Sequence, residues 1–311
     1  MTNIRQILFP LLAAAFAACS SDSTNEIQNS RQPLRISGIN LVEQSPWGGG
    51  TRAMDDHLTQ ITDGNTTVYV SSNNAAPSPY QYDNGEFKVM TGHIPQEWDG
   101  SNAYVYGFFR SDNETSLTTA FSVPTTQNGQ TEYSFQASTK KQFTYSESTQ
   151  GIRLDLYQQL AKVQVTVSDA DANTTVYIGY GNSKLYCNGI FGQNFDTSNT
   201  ATGTWVFSGA ATAIAVTGQE VSGTEGRVFT AYILPQTIAQ KENFFCVSNS
   251  STNVTAYYRL PSDNYQFQAG YVYKCTLMQD MTVTAINIDT DFSNNNGTAI
   301  DVPTNSGSTS D

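Results

Sequence analysis

The chain has 311 residues, 27 acidic against 15 basic, for a formal charge of −12; aromatic residues make up 12% of it and charged residues only 14%. So acidic a surface excludes nucleic-acid binding, which needs clustered Lys and Arg, and docking on anionic headgroups beyond a lipid anchor. The abundance of Tyr, Phe and Thr favours pleated, half-buried surfaces, an all-β composition, and the length admits one large or two ordinary domains.

From the N-terminus, a single Arg5 precedes an apolar run, Ile7 to Ala18, that ends in Phe16-Ala17-Ala18-Cys19. A charged n-region, a short h-region and a small-residue cleavage site with cysteine at the junction read as a bacterial lipoprotein signal. The run is too short to span a bilayer and is interrupted by Pro10. On this reading residues 1–18 are removed and Cys19 carries acyl chains, two or more of which anchor stably. Residues 19–33 are rich in Ser, Asp, Asn and Thr, and form a flexible tether.

The first strand expected is Leu34–Val42, with Leu34, Ile36 and Ile39 alternating around Gly38. Trp47-Gly48-Gly49-Gly50-Thr51-Arg52-Ala53 follows as an exposed glycine-rich loop. The triple glycine lacks the Lys and helix of a phosphate loop. Thr51-Arg52-Ala53 suits a trypsin-like or arginine-specific protease, although composition alone equally allows a solvated arginine. Short strands are then expected at 67–71, 87–90, 103–109, 132–135 and 141–145, linked through Asn84-Gly85, Asp99-Gly100 and Asn128-Gly129, pairs suited to hairpin turns.

The apolar positions Ile152, Leu154 and Leu156 are even-numbered, whereas Ala161, Val163, Val165 and Val167 are odd-numbered. That phase change requires a bulge or short turn near residues 157–160; residues 155–161 also admit a helical turn. Further strands are expected at 176–180, 204–207, 228–234, 244–247, 256–260, 271–278 and 282–288. The segment Asn65-Thr66-Thr67-Val68-Tyr69-Val70 recurs 108 positions later as Asn173-Thr174-Thr175-Val176-Tyr177-Ile178. The offset matches one β-sandwich domain. The expected organisation is a signal peptide over 1–18, a tether over 19–33, β-sandwich domains over 34–147 and 148–293, and a polar tail over 294–311.

No catalytic constellation emerges. The two histidines, His57 and His93, lack metal-ligand spacing, and no Gly-x-Ser-x-Gly elbow occurs. Asp55-Asp56 and Asp289/Asp291 are the closest carboxylate pairs, but spacing does not place them across a sugar. Asp289, Asp291 and Asn294 suit calcium less well than they suit a solvated turn. Trp47, Trp98 and Trp205 fit core packing better than stacking on sugars. With Cys19 lipidated, Cys187, Cys246 and Cys275 are left; any two could pair, and Cys275 reads as a small buried hydrophobe. The expectation is a non-enzyme with no catalytic residue, no cofactor and no metal.

A family resemblance rests on several segments in order: Phe16-Ala17-Ala18-Cys19, Thr51-Arg52-Ala53, Leu160 through Val167, Ala231-Tyr232-Ile233-Leu234-Pro235-Gln236, Ala269 through Leu277, and Thr282-Val283-Thr284-Ala285-Ile286. In these the chain resembles the fimbrillin-like lipoproteins of Bacteroidales, which build type V pili. The resemblance implies two transthyretin-like (Greek-key) β-sandwich domains in tandem. It also implies an outer-membrane lipid anchor at Cys19 and a surface-exposed fimbrium, with other pilus subunits and an Arg-specific protease as partners. It makes Arg52-Ala53 the scissile bond and the strand at 34–42 the one that departs. A donor strand from a neighbouring subunit then fills the groove, carried here by Val283, Ala285, Ile286 and Ile288. Stalk, tip, anchor and accessory roles stay open, as does a surface glycan-binding lipoprotein that does not polymerise.

Overall fold

The computed structural model describes residues 31–42, 58–98, 100–168, 170–194, 203–220, 226–277 and 283–289. Their regular structure is strand, apart from one 3₁₀ turn at Tyr145–Ser148. The first nine longer strands are β1 (Ile36–Val42), β2 (Leu58–Gln60), β3 (Val68–Ser72), β4 (Ser78–Asp83), β5 (Glu86–Val89), β6 (Ala103–Arg110), β7 (Phe135–Ala137), β8 (Lys141–Phe143) and β9 (Ile152–Gln158). They hydrogen-bond in the order β7-β9-β1-β5-β4-β3-β6-β8, with β2 on β1. Because β7 also pairs with β6, the ladder returns on itself and leaves few free edges. Its thinnest joint is β1 to β5, a single residue pair between Ile36 and Phe87.

Alternation turns one face of these strands inward. Leu34, Ile36, Ile39, Val68, Val70, Phe87, Val105, Ile152, Leu154 and Leu156 are buried in a first hydrophobic core. The β4–β5 hairpin turns on Asn84 (φ +52°) and Gly85 (φ +95°), the left-handed pair that a two-residue turn demands.

The later strands are β10 (Ala161–Val167), β11 (Thr174–Ile178), β12 (Asn188–Gln193), β13 (Gly203–Phe207), β14 (Ile214–Thr217), β15 (Arg227–Ile233), β16 (Phe245–Asn249), β17 (Val254–Tyr258), β18 (Val272–Leu277) and β19 (Val283–Asp289). One sheet runs β15-β10-β18-β19 and another β14-β11-β16-β17, with β13-β12 as a third ladder. Both larger sheets feed a second, aromatic-rich core, the arrangement of a β-sandwich. Phe108, Phe121 and Phe135 also enter it, so the two cores interleave along the chain.

The phase change near residue 158 is where the chain passes from one core to the other. Ile152, Leu154 and Leu156 face the first core, while Ala161, Val163 and Val165 face the second. Gln158 stabilises the step, its Oε1 accepting from the amides of Phe135, Gln159 and Leu160. No helical turn occupies residues 155–161: strand runs to Gln158 and resumes at Ala161.

Other expectations shift. The strand expected at 132–135 lies at Phe135–Ala137. Asn128-Gly129 does not close a hairpin; Asn128 Oδ1 accepts from the amides of Gln130 and Thr131, and the preceding Thr126–Gln127 pairs in parallel with β14. Cys187, Cys246 and Cys275 are buried free thiols.

The internal repeat is structural as well as textual. Asp63 Oδ1 accepts from the amide of Asn65, and its other oxygen from the Thr66 hydroxyl. One repeat later, Asp171 Oδ1 accepts from the amide of Asn173 and the hydroxyl of Thr174. The same turn thus leads into β3 in the first core and β11 in the second.

Candidate strand-exchange groove

The site is the seat of β1. Its sequence, Ile-Ser-Gly-Ile-Asn-Leu-Val, places apolar residues at 36, 39 and 41, a spacing that breaks strict alternation. The structure absorbs the break in a bulge. Ile36 pairs with Ile152 and Gly38 with Arg153, leaving Ser37 without an opposite number on β9. Ile36 and Ile39 therefore both point into the core, and both are fully buried.

Backbone and side-chain bonds hold the strand along its length. The amide of Ile152 donates to Arg35 O, and the amide of Ile61 to Ile39 O, each at 2.9 Å. Ser37 Oγ donates to Ile152 O at 3.1 Å, and Asn40 Nδ2 to Asp155 Oδ1 at 2.8 Å. Ahead of the strand, Leu34 N donates to Gln96 O, and Gln32–Pro33 pairs with Glu97–Trp98. The parallel ladder from β1 to β9 carries six residue pairs and is its main attachment.

Space within the strand is tight at Gly38. A Cβ built on Gly38 would lie 3.2 Å from Arg153 Nε and 3.6 Å from Gln60 Nε2. A small side chain fits once the flexible arginine gives way, and a large one does not.

Withdrawing residues 34–42 would take Leu34, Ile36 and Ile39 out of the first core. At about 1.5–3 kcal/mol per buried aliphatic side chain, that forfeits on the order of 5–9 kcal/mol of gross apolar burial. It would also uncover the ladder groups of β9. β1 is joined to β2 through residues 43–57, the segment that carries Arg52.

Of the residues singled out from sequence, Cys19, Arg52 and Ala53 lie outside the described residues, as do His57, Trp47, Asp291 and Asn294. Val283, Ala285, Ile286 and Ile288 lie on β19, an outer strand that pairs antiparallel with β18. Trp98 is buried in the first core and Trp205 packs against the second, where its Nε1 donates to Gln159 O. His93 is exposed on a loop. Among the described residues no group of three His, Cys, Asp or Glu is placed to hold a metal. Sequence reasoning missed Asp155 and Arg153, which face β1 from a strand more than a hundred residues away.

A two-core, all-β body with sandwiched sheets is the fold class this geometry defines. Residues 50–294 match the fimbrillin-like family model, and the chain belongs to that family. It is a structural protein rather than an enzyme, a subunit of cell-surface fimbriae that works with other pilus subunits. Among solved structures it is similar to a candidate cell adhesion protein of Bacteroides ovatus, at 15% identity and a TM-score of 0.51, covering 83% of this chain and 96% of that one. A candidate cell adhesion protein of Bacteroides uniformis is similar at 15% identity and a TM-score of 0.50, covering 85% and 98%. The fimbrial anchor protein Mfa2 of Porphyromonas gingivalis aligns at 15% identity and a TM-score of 0.40, covering 87% and 99%. No curated protein matches the chain in sequence.

Proposed function

We propose that this fimbrial subunit is made as a lipidated precursor, anchored to the outer membrane through Cys19, in which residues 34–42 act as a temporary plug. An arginine-specific protease cuts the Arg52–Ala53 bond. β1 is then held by non-covalent contacts alone and leaves, and a strand from a neighbouring subunit takes its place. Each β-sandwich unit of the tandem forms around one of the two cores, and exchange occurs in the first.

The observation that carries this reading is the position of β1. It sits inside a ladder, supplies fully buried side chains to the core, and is tied to the next strand through the segment containing Arg52. An incoming strand restores both the main-chain bonds and the apolar stripe, which is β-augmentation. Applied head to tail, a joint that does not close yields an open polymer.

N-terminal sequencing of the surface-exposed form tests the cleavage; a start at Ala53 is expected. Arg52→Ala is expected to leave a folded, lipidated monomer and to abolish detergent-resistant ladders. Ladders of unchanged length in that variant would reject the mechanism.

A further inference from the structure

The sheet β14-β11-β16-β17 has two faces, and the second core uses only one. Val176, Ile178, Ile214, Val216, Phe245 and Tyr258 turn inward to that core. Alternation sends their neighbours outward. The register then lines those neighbours up in two rows that cross the strands.

The first row is hydroxylic. Thr217 pairs with Thr175, Thr175 with Ser248, and Ser248 with Thr255. At about 4.8 Å between strands, the row is about 14 Å long. Thr217 and Thr255 are exposed, and Thr175 and Ser248 are half-buried. Among the described residues, none of the four hydroxyls has a hydrogen-bond partner. Their full bonding capacity is open to a ligand.

The second row lies two residues along each strand, about 7 Å away, and is aromatic. Ala215 pairs with Tyr177, Tyr177 with Cys246, and Cys246 with Tyr257. The Tyr180 ring, just beyond β11, fills the gap left by the small Cys246. Its centroid is 5.8 Å from that of Tyr177 and 5.7 Å from that of Tyr257. Although the chain has a formal charge of −12, none of the four strands contains an Asp, Glu, Lys or Arg.

We propose that this face binds a neutral polysaccharide in an extended conformation. The apolar C–H faces of its sugars lie on Tyr177, Tyr180 and Tyr257, as rigid amphipathic rings allow. Its hydroxyls exchange hydrogen bonds with Thr217, Thr175, Ser248 and Thr255 along one edge. The step from strand to strand is close to the length of one sugar in an extended glycan, so successive sugars meet successive hydroxyls. An anionic glycan or a nucleic acid would need cations that these strands lack. A protein partner fits less well, because Ser and Thr are under-represented among the residues that carry protein–protein affinity. The face belongs to the second core and is independent of strand exchange at β1. A filament would repeat it once per subunit, and weak single sites gain strength through multivalency.

Electrophoresis of the full chain through native gels containing hydroxyethyl cellulose, galactomannan or polygalacturonate tests the proposal. Retardation is expected with at least one of the two neutral polymers and not with the anionic one. Tyr177→Ala and Tyr257→Ala should each weaken binding by about tenfold. Thr175→Val keeps the shape and strand preference of the residue while removing its hydroxyl, and should weaken binding by about threefold. Tyr104→Ala removes an exposed ring from β6 and should bind as the wild type does. The proposal is overturned if neither neutral polymer retards the chain or if polygalacturonate retards it equally. Retardation that survives both Tyr257→Ala and Thr175→Val overturns it too. Self-association that Tyr257→Ala abolishes, without retardation by any polymer, would give the face to a second copy of the chain instead.

Discussion

The two cores differ in what holds them together. Three of the fifteen buried side chains of the first, Leu34, Ile36 and Ile39, come from one short segment ahead of the stretch that carries Arg52, and the ladder around them has a one-pair joint. The second draws on residues 108–277 and is laced with aromatic contacts, such as Phe244 stacked on Phe267 at 5.4 Å and Phe267 against Tyr273 at 4.7 Å. A subunit that exchanges a strand must open one core while keeping its shape. Under the proposed exchange, confining the removable strand to the smaller core achieves this: the buried side chains it supplies are aliphatic, and aliphatic side chains of similar volume replace one another at little cost, whereas interlocked rings do not.

The largest expected effect tests the fixed core. Arg110 is buried beside Phe121 and Phe135, paired with Asp112 and donating to the carbonyls of Ser116, Thr119 and Ala120. Arg110→Ala orphans all of these acceptors and should cost about 3–5 kcal/mol, the range for breaking a buried pair. Hydrogen exchange should quicken in β10, β15 and β18. Unchanged protection there would show that the loop at 111–120 is not part of the second core's support.

Next in size is Ile39→Ala, expected to cost about 2–4 kcal/mol in the precursor through a cavity in the first core. Exchange should speed up in β9 and β5 and stay near wild type in β10 and β15. Equal loosening of both halves would break the distinction between an exchangeable and a fixed core.

A smaller readout concerns the thiols. Burial pushes the Cys187 thiol up to about 11 and raises Cys246 and Cys275 as well. Thiolate is the reactive form, so a thiol reagent at pH 8 should label neither Cys187 nor Cys275 until the second core opens. Reductant should leave the unfolding midpoint unchanged. Prompt labelling of Cys187 or Cys275 in the native chain would show a core looser than its packing implies.

Much of this was legible in the sequence, for local reasons. Leu34, Ile36 and Ile39 stand out among polar neighbours, Asn84-Gly85 is a turn by its chemistry, and the change of parity between Leu156 and Ala161 requires a break. β4 was not legible because Pro79 and Gln81 interrupt its pattern, nor β12, where Gly189 and Gly192 dilute it. The buried Arg110 and the Asn40–Asp155 bond could not be read at all. Each depends on partners that the fold alone brings together, Asp155 lying 115 positions from Asn40.

The smallest effect compares the two cores through the turn they share. Asp63 and Asp171 each accept from the amide and the hydroxyl that follow them, and those bonds hold both carboxyls below the usual carboxylate range. A group with a depressed folded pKa stabilises the fold above its unfolded value and loses that contribution as the pH falls through the folded one. Both turns should therefore tighten their strands at neutral pH and release them only in acid. Asp63→Asn should flatten the acid-side loss of protection in β3, and Asp171→Asn that in β11, each leaving the other core's profile in place. If either substitution flattens both profiles, the cores open as one unit in acid, and the independence that strand exchange requires does not extend below the carboxylate range.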